Sequence, residues 1–508
     1  MTSPCITLTD QEAAIFGQLR QLRDQADLGG QVVMRAAGGW VRDRILGLPS
    51  KDIDITLSNI TGSEFAQRVG LHGHVIEANP DKSKHLETTK VFLDGLEMDF
   101  VNLRSEHYTD SRIPTMQMGT PEQDASRRDL TINALFYNLE TSEIEDFVGG
   151  LEDLAGMRLR TPLEPLKTFL DDPLRMLRVL RFHARFPDSS LDPYLAQALH
   201  MPEAHEAFSR KVALERAGPE LLGMMGGAAP AQSVRLLLES GLYRCVFRGP
   251  GMDETLGIRQ DQRNEHHCLD LLDHTVEIVR NLNQLLHQRG ESVKLRALMN
   301  LAALFHDFGK MHPEGRQEHP QKPGQMRYAG HERVSARLAE EVLRAIGVGG
   351  ADRALVTKVV ALHMRPHQHD ASSGWTPKSM GKFLRDCAFA GHDEIDNLWE
   401  HVFLHAIADS MSKGNETWRE DVPFKEQGMA ALRDYLALRQ SQSANISKPL
   451  LSGNEIMALV PELAQGTGFI RSVVSTLLEL QDACEVTTEE QARSAVMAWK
   501  MRHLHEYL

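Results

Sequence analysis

The chain has 508 residues, 56 of them Lys or Arg and 70 Asp or Glu, for a formal net charge of −14. That length exceeds what a single core organises, so a modular protein is expected, and the acidic balance argues against one that coats nucleic acid over its whole surface. No apolar run approaches a membrane span, the first residues lack the charged-then-apolar pattern of a secretory signal, and five scattered cysteines (Cys5, Cys245, Cys268, Cys387, Cys484) offer neither a disulfide framework nor metal-type spacing, so a reduced, cytoplasmic protein with no membrane partner is expected.

Residues 31 to 36 read as a short strand, Gly38-Gly39 as a tight turn, Trp40 to Leu46 as the start of a helix, and Asp52 to Leu57 as a second strand. Strand side chains alternate, so Asp52 and Asp54 share one face. Two carboxylates about 5 Å apart repel by roughly 3 kcal/mol at an effective dielectric near 20, a cost that a divalent cation removes. Magnesium takes one or two carboxylates together with substrate phosphate oxygens, and a Gly pair lets backbone N–H groups come close to a triphosphate. A lone Asp-x-Asp also describes a solvated strand end. Here Gly38-Gly39-Trp40-Val41-Arg42-Asp43 precedes it, which favours nucleotidyl transfer with Asp52 and Asp54 as the catalytic metal ligands.

Apolar runs at 52–57, 97–102 and 135–138 alternate with turns, as in a small mixed α/β unit. Asp99, on a strand at 96–100, is a weaker candidate for a third carboxylate. Arg127-Arg128-Asp129-Leu130-Thr131-Ile132-Asn133-Ala134-Leu135 lies at a polar-to-apolar switch; Asp129 or Thr131 can cap a helix there, and the two arginines can hold ribose or phosphate. From about 167 the pattern turns helical. Asp171-Asp172-Pro173-Leu174-Arg175 opens an Arg-rich helix with Arg175, Arg178, Arg181 and Arg185 on one broad face. Capping and a solvated amphipathic helix account for this stretch, and so does a nucleotide cleft. In the cleft reading, a carboxylate and a guanidinium three residues apart on one helix face accept from the exocyclic amine and donate to the ring nitrogen common to cytosine and adenine. Uracil and guanine would leave those groups unpaired. Asp172 and Arg175 are the candidates.

Gly38 to Asp43, Asp52 with Asp54, Arg127 to Leu135, Asp146-Phe147-Val148-Gly149-Gly150 through Leu154, Asp171 to Arg185, and Glu215-Arg216 with Glu220 resemble, in order and spacing, the class II tRNA nucleotidyltransferases, the CCA-adding enzymes, over roughly residues 25 to 250. Asn102 to Glu106, Ser111 to Thr115 and Thr161-Pro162-Leu163 look like the eukaryotic-type branch. The resemblance implies a multidomain α+β chain: a polymerase beta-like nucleotidyltransferase α/β head at 1–150, then an all-α neck and body at 151–250 for nucleotide selection and tRNA binding. The implied reaction adds CCA to the 3′ end of tRNA from CTP and ATP without a nucleic-acid template. The resemblance also implies Mg2+ on Asp52 and Asp54, and nucleotide binding through Gly38, Gly39, Arg42, Asp43, Arg127, Arg128, Asp172, Arg175 and Arg178. It further implies a head-to-neck hinge at Asp146 to Leu154 and a mobile loop at Glu77 to Lys90. Poly(A) polymerase shares the head motifs and specialised C- or A-adding enzymes stay open as alternatives, while the carboxylates and the base-edge pair disfavour a non-catalytic RNA-binding scaffold.

A polar, Gly/Pro-marked linker is expected at 248–265, followed by a second helical domain at 262–425. His274, the dipeptide His306-Asp307 after an apolar helix at 295–305, His331, His363 and Asp409 follow one another through it. Imidazole and carboxylate suit borderline or hard divalent metals, and ligands on several helices can converge on one or two ions. The ordered set resembles the HD superfamily of metal-dependent phosphohydrolases, and Asn264 to His267 looks like the start of the HD module of some bacterial tRNA nucleotidyltransferases. That resemblance implies His274, His306, Asp307 and Asp409 as ligands of a divalent metal of open identity, and His331 and His363 as ligands of a second metal or phosphate contacts. Phosphodiesterase or phosphatase action on RNA 3′ ends is the implied activity. His312, His367 and His369 are expected at the surface. Ser441 to Ser452 reads as a connector within a terminal helical segment, 426–508.

Overall fold

The computed structural model describes residues 6–50, 52–76, 88–107, 115–248, 268–322, 325–369, 374–389, 392–441, 448–461, 468–483 and 485–503. It divides into two compact units, Met1–Val246 and Phe247–Leu508. Most of the expected linker, the Asn264 to His267 segment, Ser111 to Pro114 and residues 77–87 of the expected mobile loop lie outside the described residues. Among the described residues no helix is long and apolar enough to cross a membrane, and Cys245, Cys268 and Cys387 are free thiols.

The first unit begins with helix α1 (Asp10–Gln25), whose start is closed by a reciprocal Thr9/Glu12 capping box. Then come β1 (Met34–Ala37), α2 (Gly39–Ile45), β2 (Ile53–Leu57), α3 (Gly62–Arg68), β3 (Gly73–Ile76), β4 (Thr88–Leu93), β5 (Leu96–Asn102), β6 (Arg104–His107), β7 (Thr115–Met118), α4 (Pro121–Ser126), β8 (Phe136–Asn138) and β9 (Ile144–Glu145). Seven of these strands form one sheet in the order β3-β4-β5-β2-β1-β8-β9. Its neighbours run antiparallel except β2 and β5, which pair in parallel. The first strand starts at Met34 rather than Gln31, because the chain is still turning at Gly30, where φ is +76°. The core includes Trp40, Phe65, Phe100 and Phe136, with Phe65 and Phe100 edge to face at 5.4 Å.

The rest of this unit is helical: α5 (Gly150–Ala155), α6 (Pro165–Asp171), α7 (Arg175–Arg185), α8 (Pro193–Ala198), α9 (Pro202–Lys211), α10 (Ala217–Met225), α11 (Pro230–Glu239) and α12 (Tyr243–Val246). The Asp146 carboxylate receives the N–H groups of Val148, Gly149, Gly150 and Leu151 at 2.9 to 3.2 Å, holding the start of α5. Gly150 is needed there, because a Cβ would lie 2.3 Å from the carbonyl oxygen of Thr131. One continuous Arg-rich helix from Asp171 does not form. The helix α6 ends at Asp171, Asp172 is extended (φ −133°, ψ 98°), and α7 begins at Arg175. Pro173 has no N–H to continue a helix, and the Asp172 carboxylate takes the Leu174 N–H at 3.2 Å, which makes a turn the better local solution.

The second unit contains α13 (Leu271–Gln288), α14 (Val293–Phe305), α15 (His331–Ala345), α16 (Gly350–Leu362), α17 (Pro377–Asp386), α18 (Leu398–Met411), α19 (Trp418–Ser441), α20 (Gly453–Leu459), α21 (Gly468–Asp482) and α22 (Glu489–His503). Helices α14 and α18 are buried nearly all round, as befits central helices. The last three helices close a cluster of their own around Ile456, Phe469, Leu477 and Trp499. Helix α19 is unbroken across 425/426, so the expected division there falls inside a helix.

Candidate active sites

In the head, Asp52 precedes β2 and Asp54 is its second residue. Both are exposed while Ile53 and Ile55 are buried, the alternation that a strand imposes. The parallel register places Asp99 of β5 directly opposite Asp54. Although the Asp54 side chain reaches solvent, protein crowds it. Desolvation, opposed by Arg128 and reinforced by the charges of Asp99 and Asp52, lifts its carboxyl above the usual range. Oδ1 of Asp99 is buried without a hydrogen bond, although the Lys90 ammonium stands 3.3 Å away. Three crowded hard-oxygen donors fit a hard divalent cation.

The turn before β2 is braced from behind. Gly38 has φ +68°, and a Cβ on it would lie 2.6 Å from Nη1 of Arg128, so both conformation and space demand glycine. Its N–H is spent on the Leu135 carbonyl at 3.0 Å, while Gly39 opens α2. Arg42 and Asp43 are turned inward, 3% and 5% exposed. Nε of Arg42 donates to Asp43 Oδ1 at 2.9 Å, its guanidinium also donates to the Asn133 side chain, and it lies 5.1 Å over the Phe182 ring. From α7, Arg185 donates to the other Asp43 oxygen at 3.0 Å. In this geometry Arg42 and Asp43 support the turn.

Arg127 and Arg128 both grip Asp124, a buried acid on α4. The reading of the residues missed Asp124, which stands three and four positions before its partners, the spacing of helical ion pairs. Asp129 and Thr131 do not cap a helix. One Asp129 oxygen receives the Leu130 N–H at 2.8 Å and Asn133 Nδ2 at 3.0 Å, and the other receives Arg178 at 2.7 Å. Burial alone would raise the Asp129 pKa, but Arg178 and these hydrogen bonds bring it down to about 2. Thr131 donates instead to Asp153 at 2.6 Å. Arg178 and Arg181 converge on Glu220 of α10, at 3.6 and 3.0 Å.

The expected base-edge pair takes a different form. Asp172 is not on the helix of Arg175, so the two do not share a helix face. Asp172 keeps one oxygen toward Arg216 at 3.5 Å. Arg175 is buried and donates to the backbone carbonyls of Arg127 at 2.6 Å and Thr168 at 3.3 Å. It thereby ties the Arg127-Arg128 segment to the start of α7.

In the second unit His274 (α13), His306-Asp307 (just after α14), His331 (first residue of α15), His363 (just after α16) and Asp409 (α18) meet in the interior. Each of the four imidazoles presents Nδ1 to a backbone carbonyl: His274 to Ser412 at 2.9 Å, His306 to Ala303 at 2.8 Å, His331 to Tyr328 and His363 to Val360, both at 2.7 Å. A carbonyl only accepts, so Nδ1 carries a proton, and in the neutral imidazole each Nε2 turns a lone pair inward. These meet in pairs, His274 with His306 at 3.2 Å and His331 with His363 at 3.3 Å. Facing lone pairs repel unless a cation lies between them, and ligands at about 2.1 Å from one ion are spaced about 3 Å apart.

Asp307 bridges the two pairs. Its Oδ2 lies 3.2 Å from His306 and 3.5 Å from His274, its Oδ1 3.0 Å from His331 and 4.0 Å from His363. Among the described residues these two triads, His274/His306/Asp307 and Asp307/His331/His363, are the tight groups suited to a metal. Asp409 Oδ1 lies beside the first, 3.2 Å from His274 Nε2. Burial pushes the Asp307 carboxyl up, but His306 and Lys310 hold it well below the usual range; His367 and His274 do the same for Asp409.

Three residues of this centre escaped the sequence reading. Lys310 donates to Asp307 Oδ2 at 2.6 Å, three residues on. His367, expected at the surface, faces Asp409 Oδ2 at 2.9 Å. His405, one turn before Asp409 on α18, is fully buried against His306 and His363, and burial drives its pKa down to about 3. His312 is also buried, where it accepts the Glu314 N–H, and His369 is half-buried with its ring 4.0 Å from that of Trp375. Neither was legible, because single histidines carry no periodic signal.

Residues 34–160 match the Poly A polymerase head domain, and residues 265–398 match the HD domain. The chain is 41% identical over 292 residues to the mitochondrial CCA tRNA nucleotidyltransferase of Candida glabrata, covering 53% of this chain and 54% of that protein. It is 43% identical over 271 residues to the mitochondrial CCA tRNA nucleotidyltransferase of Saccharomyces cerevisiae, covering 49% of each. The chain thus spans about half the length of the curated relatives it matches. The fold resembles that of the Bacillus stearothermophilus CCA-adding enzyme in complex with CTP, with a TM-score of 0.61 at 18% identity over 98% of this chain and 100% of that one.

Proposed function

We propose that this chain, with its Poly A polymerase head domain and its HD domain, is a tRNA nucleotidyltransferase that adds C, C and A to the tRNA 3′ end from CTP and ATP. The observation that carries this reading is the placement of Asp52 and Asp54 at the start of β2, with Asp99 of the parallel-paired β5 opposite Asp54, beside a glycine turn whose conformation is locked from behind. The relatives' names support CCA addition over poly(A) addition.

In this reaction the terminal hydroxyl of the tRNA attacks the α-phosphorus of the nucleotide, the bond to the β-phosphate breaks, and pyrophosphate leaves. Asp52 and Asp54 would hold Mg2+, with Asp99 beside them; when bound, the ion lowers the hydroxyl pKa and neutralises charge on the leaving group. Arg127 and Arg128, aligned by Asp124, offer N–H groups to ribose or phosphate. Asp172, with Arg175 holding the segment behind it, would meet the Watson–Crick edge of C or A.

The test uses tRNA transcripts ending before the first C, before the second C and before the final A, incubated with CTP and ATP separately and together, with the products sequenced. CCA followed by termination is expected; an extended A tail would replace this reading with a poly(A) polymerase. Asp54→Ala should reduce incorporation by at least about a thousandfold while tRNA binding persists.

For the second unit, the paired Nε2 atoms and the bridging Asp307 support a two-metal phosphohydrolase acting on RNA 3′ ends. Water would add across a phosphoester bond, its oxygen to phosphorus and its proton to the leaving oxygen. Metal-dependent hydrolysis of bis(p-nitrophenyl) phosphate that disappears in His306→Ala is the expected result, and hydrolysis that survives that substitution would refute the assignment.

A further inference from the structure

His405 of α18 is fully buried, and neither of its ring nitrogens has a hydrogen-bond partner among the described residues. The four imidazoles of the two pairs differ from it, since each has its Nδ1 against a backbone carbonyl. A buried imidazole with both nitrogens unbonded is costly, and such a group is retained chiefly where function uses it.

Two features of the packing fix its place. His405 stands four residues before Asp409, so one face of α18 carries both toward the centre, where Asp409 Oδ1 lies 3.2 Å from His274. The His405 ring lies 5.3 Å from that of His306 and 5.7 Å from that of His363, and those two rings are 5.2 Å apart at right angles. His306 belongs to one triad and His363 to the other, so His405 stands where the triads meet. It is a member of neither group whose donor atoms are close enough together to share an ion.

The groups around this junction mostly accept. The carboxylates of Asp307 and Asp409 have no proton to give, the neutral imidazoles turn Nε2 lone pairs inward, and the Lys310 ammonium donates to Asp307. An imidazole carries at least one N–H whatever its charge. His405 therefore adds a donor that no described group takes up, at a centre whose other side chains suit cations. Such a donor suits an oxygen of a phosphate.

We propose that His405 holds a phosphoryl oxygen through a ring N–H at the junction of the two triads, as an anion-binding residue and not a metal ligand. This rests on the phosphohydrolase reading of the HD centre.

The test titrates inorganic phosphate into the Mn2+-loaded full chain by calorimetry, in wild type, His405→Phe, His405→Asn and His405→Gln. The double variant His306→Ala with Asp307→Ala is the blank for phosphate bound elsewhere. Wild type should bind phosphate beyond the blank, and His405→Phe should weaken that binding at least about tenfold. The side-chain amide of Asn stands near the place of Nδ1 and that of Gln near the place of Nε2, so one of the two should restore most of the affinity. Titration of His405→Phe with Mn2+ alone should keep the wild-type stoichiometry. Loss of an ion there would make His405 a metal ligand and overturn the inference. Phosphate binding no greater than the blank, or unchanged by His405→Phe, would overturn it too. Rescue by neither amide would leave His405 a packing residue, with the same consequence. His405→Leu is the second apolar variant should the phenylalanine fail to fold.

Hydrolysis of bis(p-nitrophenyl) phosphate separates this inference from the reading beneath it. His405-dependent phosphate binding in a wild type that hydrolyses no phosphoester would keep the anion site and sink the phosphohydrolase. Hydrolysis that needs His306, with phosphate binding indifferent to His405→Phe, would sink the anion site and leave the phosphohydrolase standing.

Discussion

At the scale of the residue, the head depends on groups whose geometry tolerates no substitute. A Cβ at Gly38 meets the Arg128 guanidinium at 2.6 Å in a left-handed backbone. Gly38→Ala should therefore cost about 1–3 kcal/mol in urea unfolding and disable incorporation by moving Arg128. Asp129 gives a pH-dependent test. Its folded pKa of about 2 lies below the roughly 3.9 of a free aspartate, so its contribution to stability is present above about pH 4 and lost as pH falls toward 2. That contribution is of order 2 kcal/mol. Unfolding free energies followed from pH 7 to pH 2 should show this fall in the wild type, and Asp129→Asn should lack that part of it while being less stable at pH 7.

At the scale of the element, the break between α6 and α7 matters more than either helix. The periodicity of Arg175, Arg178, Arg181 and Arg185 is that of a helical face, and the structure keeps the helix. It places Asp172 outside it, because Pro173 and the Asp172 carboxylate together favour a turn. Arg175 then bonds two carbonyls across the break, at Arg127 and Thr168. Arg175→Ala should loosen both the Arg127-Arg128 segment and the approach to Asp172. The expected outcome is a rise of about tenfold or more in UTP or GTP incorporation relative to CTP and ATP, accompanied by a lower melting temperature. Arg175→Lys should recover stability better than selectivity, since an ammonium does not reproduce the planar fork. Unchanged discrimination in Arg175→Ala would remove Arg175 from base selection.

At the scale of the whole molecule, each of the two units has its own core and its own centre. A divalent ion that binds the folded second unit at a hundred times its Kd adds about 2.7 kcal/mol to that unit. Metal-free protein should therefore show one calorimetric transition that moves up on adding Mn2+ or Ni2+, and His306→Ala with Asp307→Ala should abolish the shift while CTP incorporation by the head continues. A metal shift that persists in that double variant would place the ion elsewhere.

The residue order by itself determined the chemistry within each segment: Asp52 and Asp54 on one strand face, Gly38 where the chain turns, the α/β-to-helical change along the first unit, and the ordered histidines and acids of the second. These are local properties, set by side-chain period and backbone allowance. Tertiary structure alone decided which groups meet. It set Asp99 opposite Asp54, gave Arg127 and Arg128 to Asp124, divided the two oxygens of Asp307 between two imidazole pairs, and brought His367 inward to Asp409. Periodicity says which way a side chain faces from its own element, but its partner stands on another element, and only packing and the need to satisfy buried charge select that one.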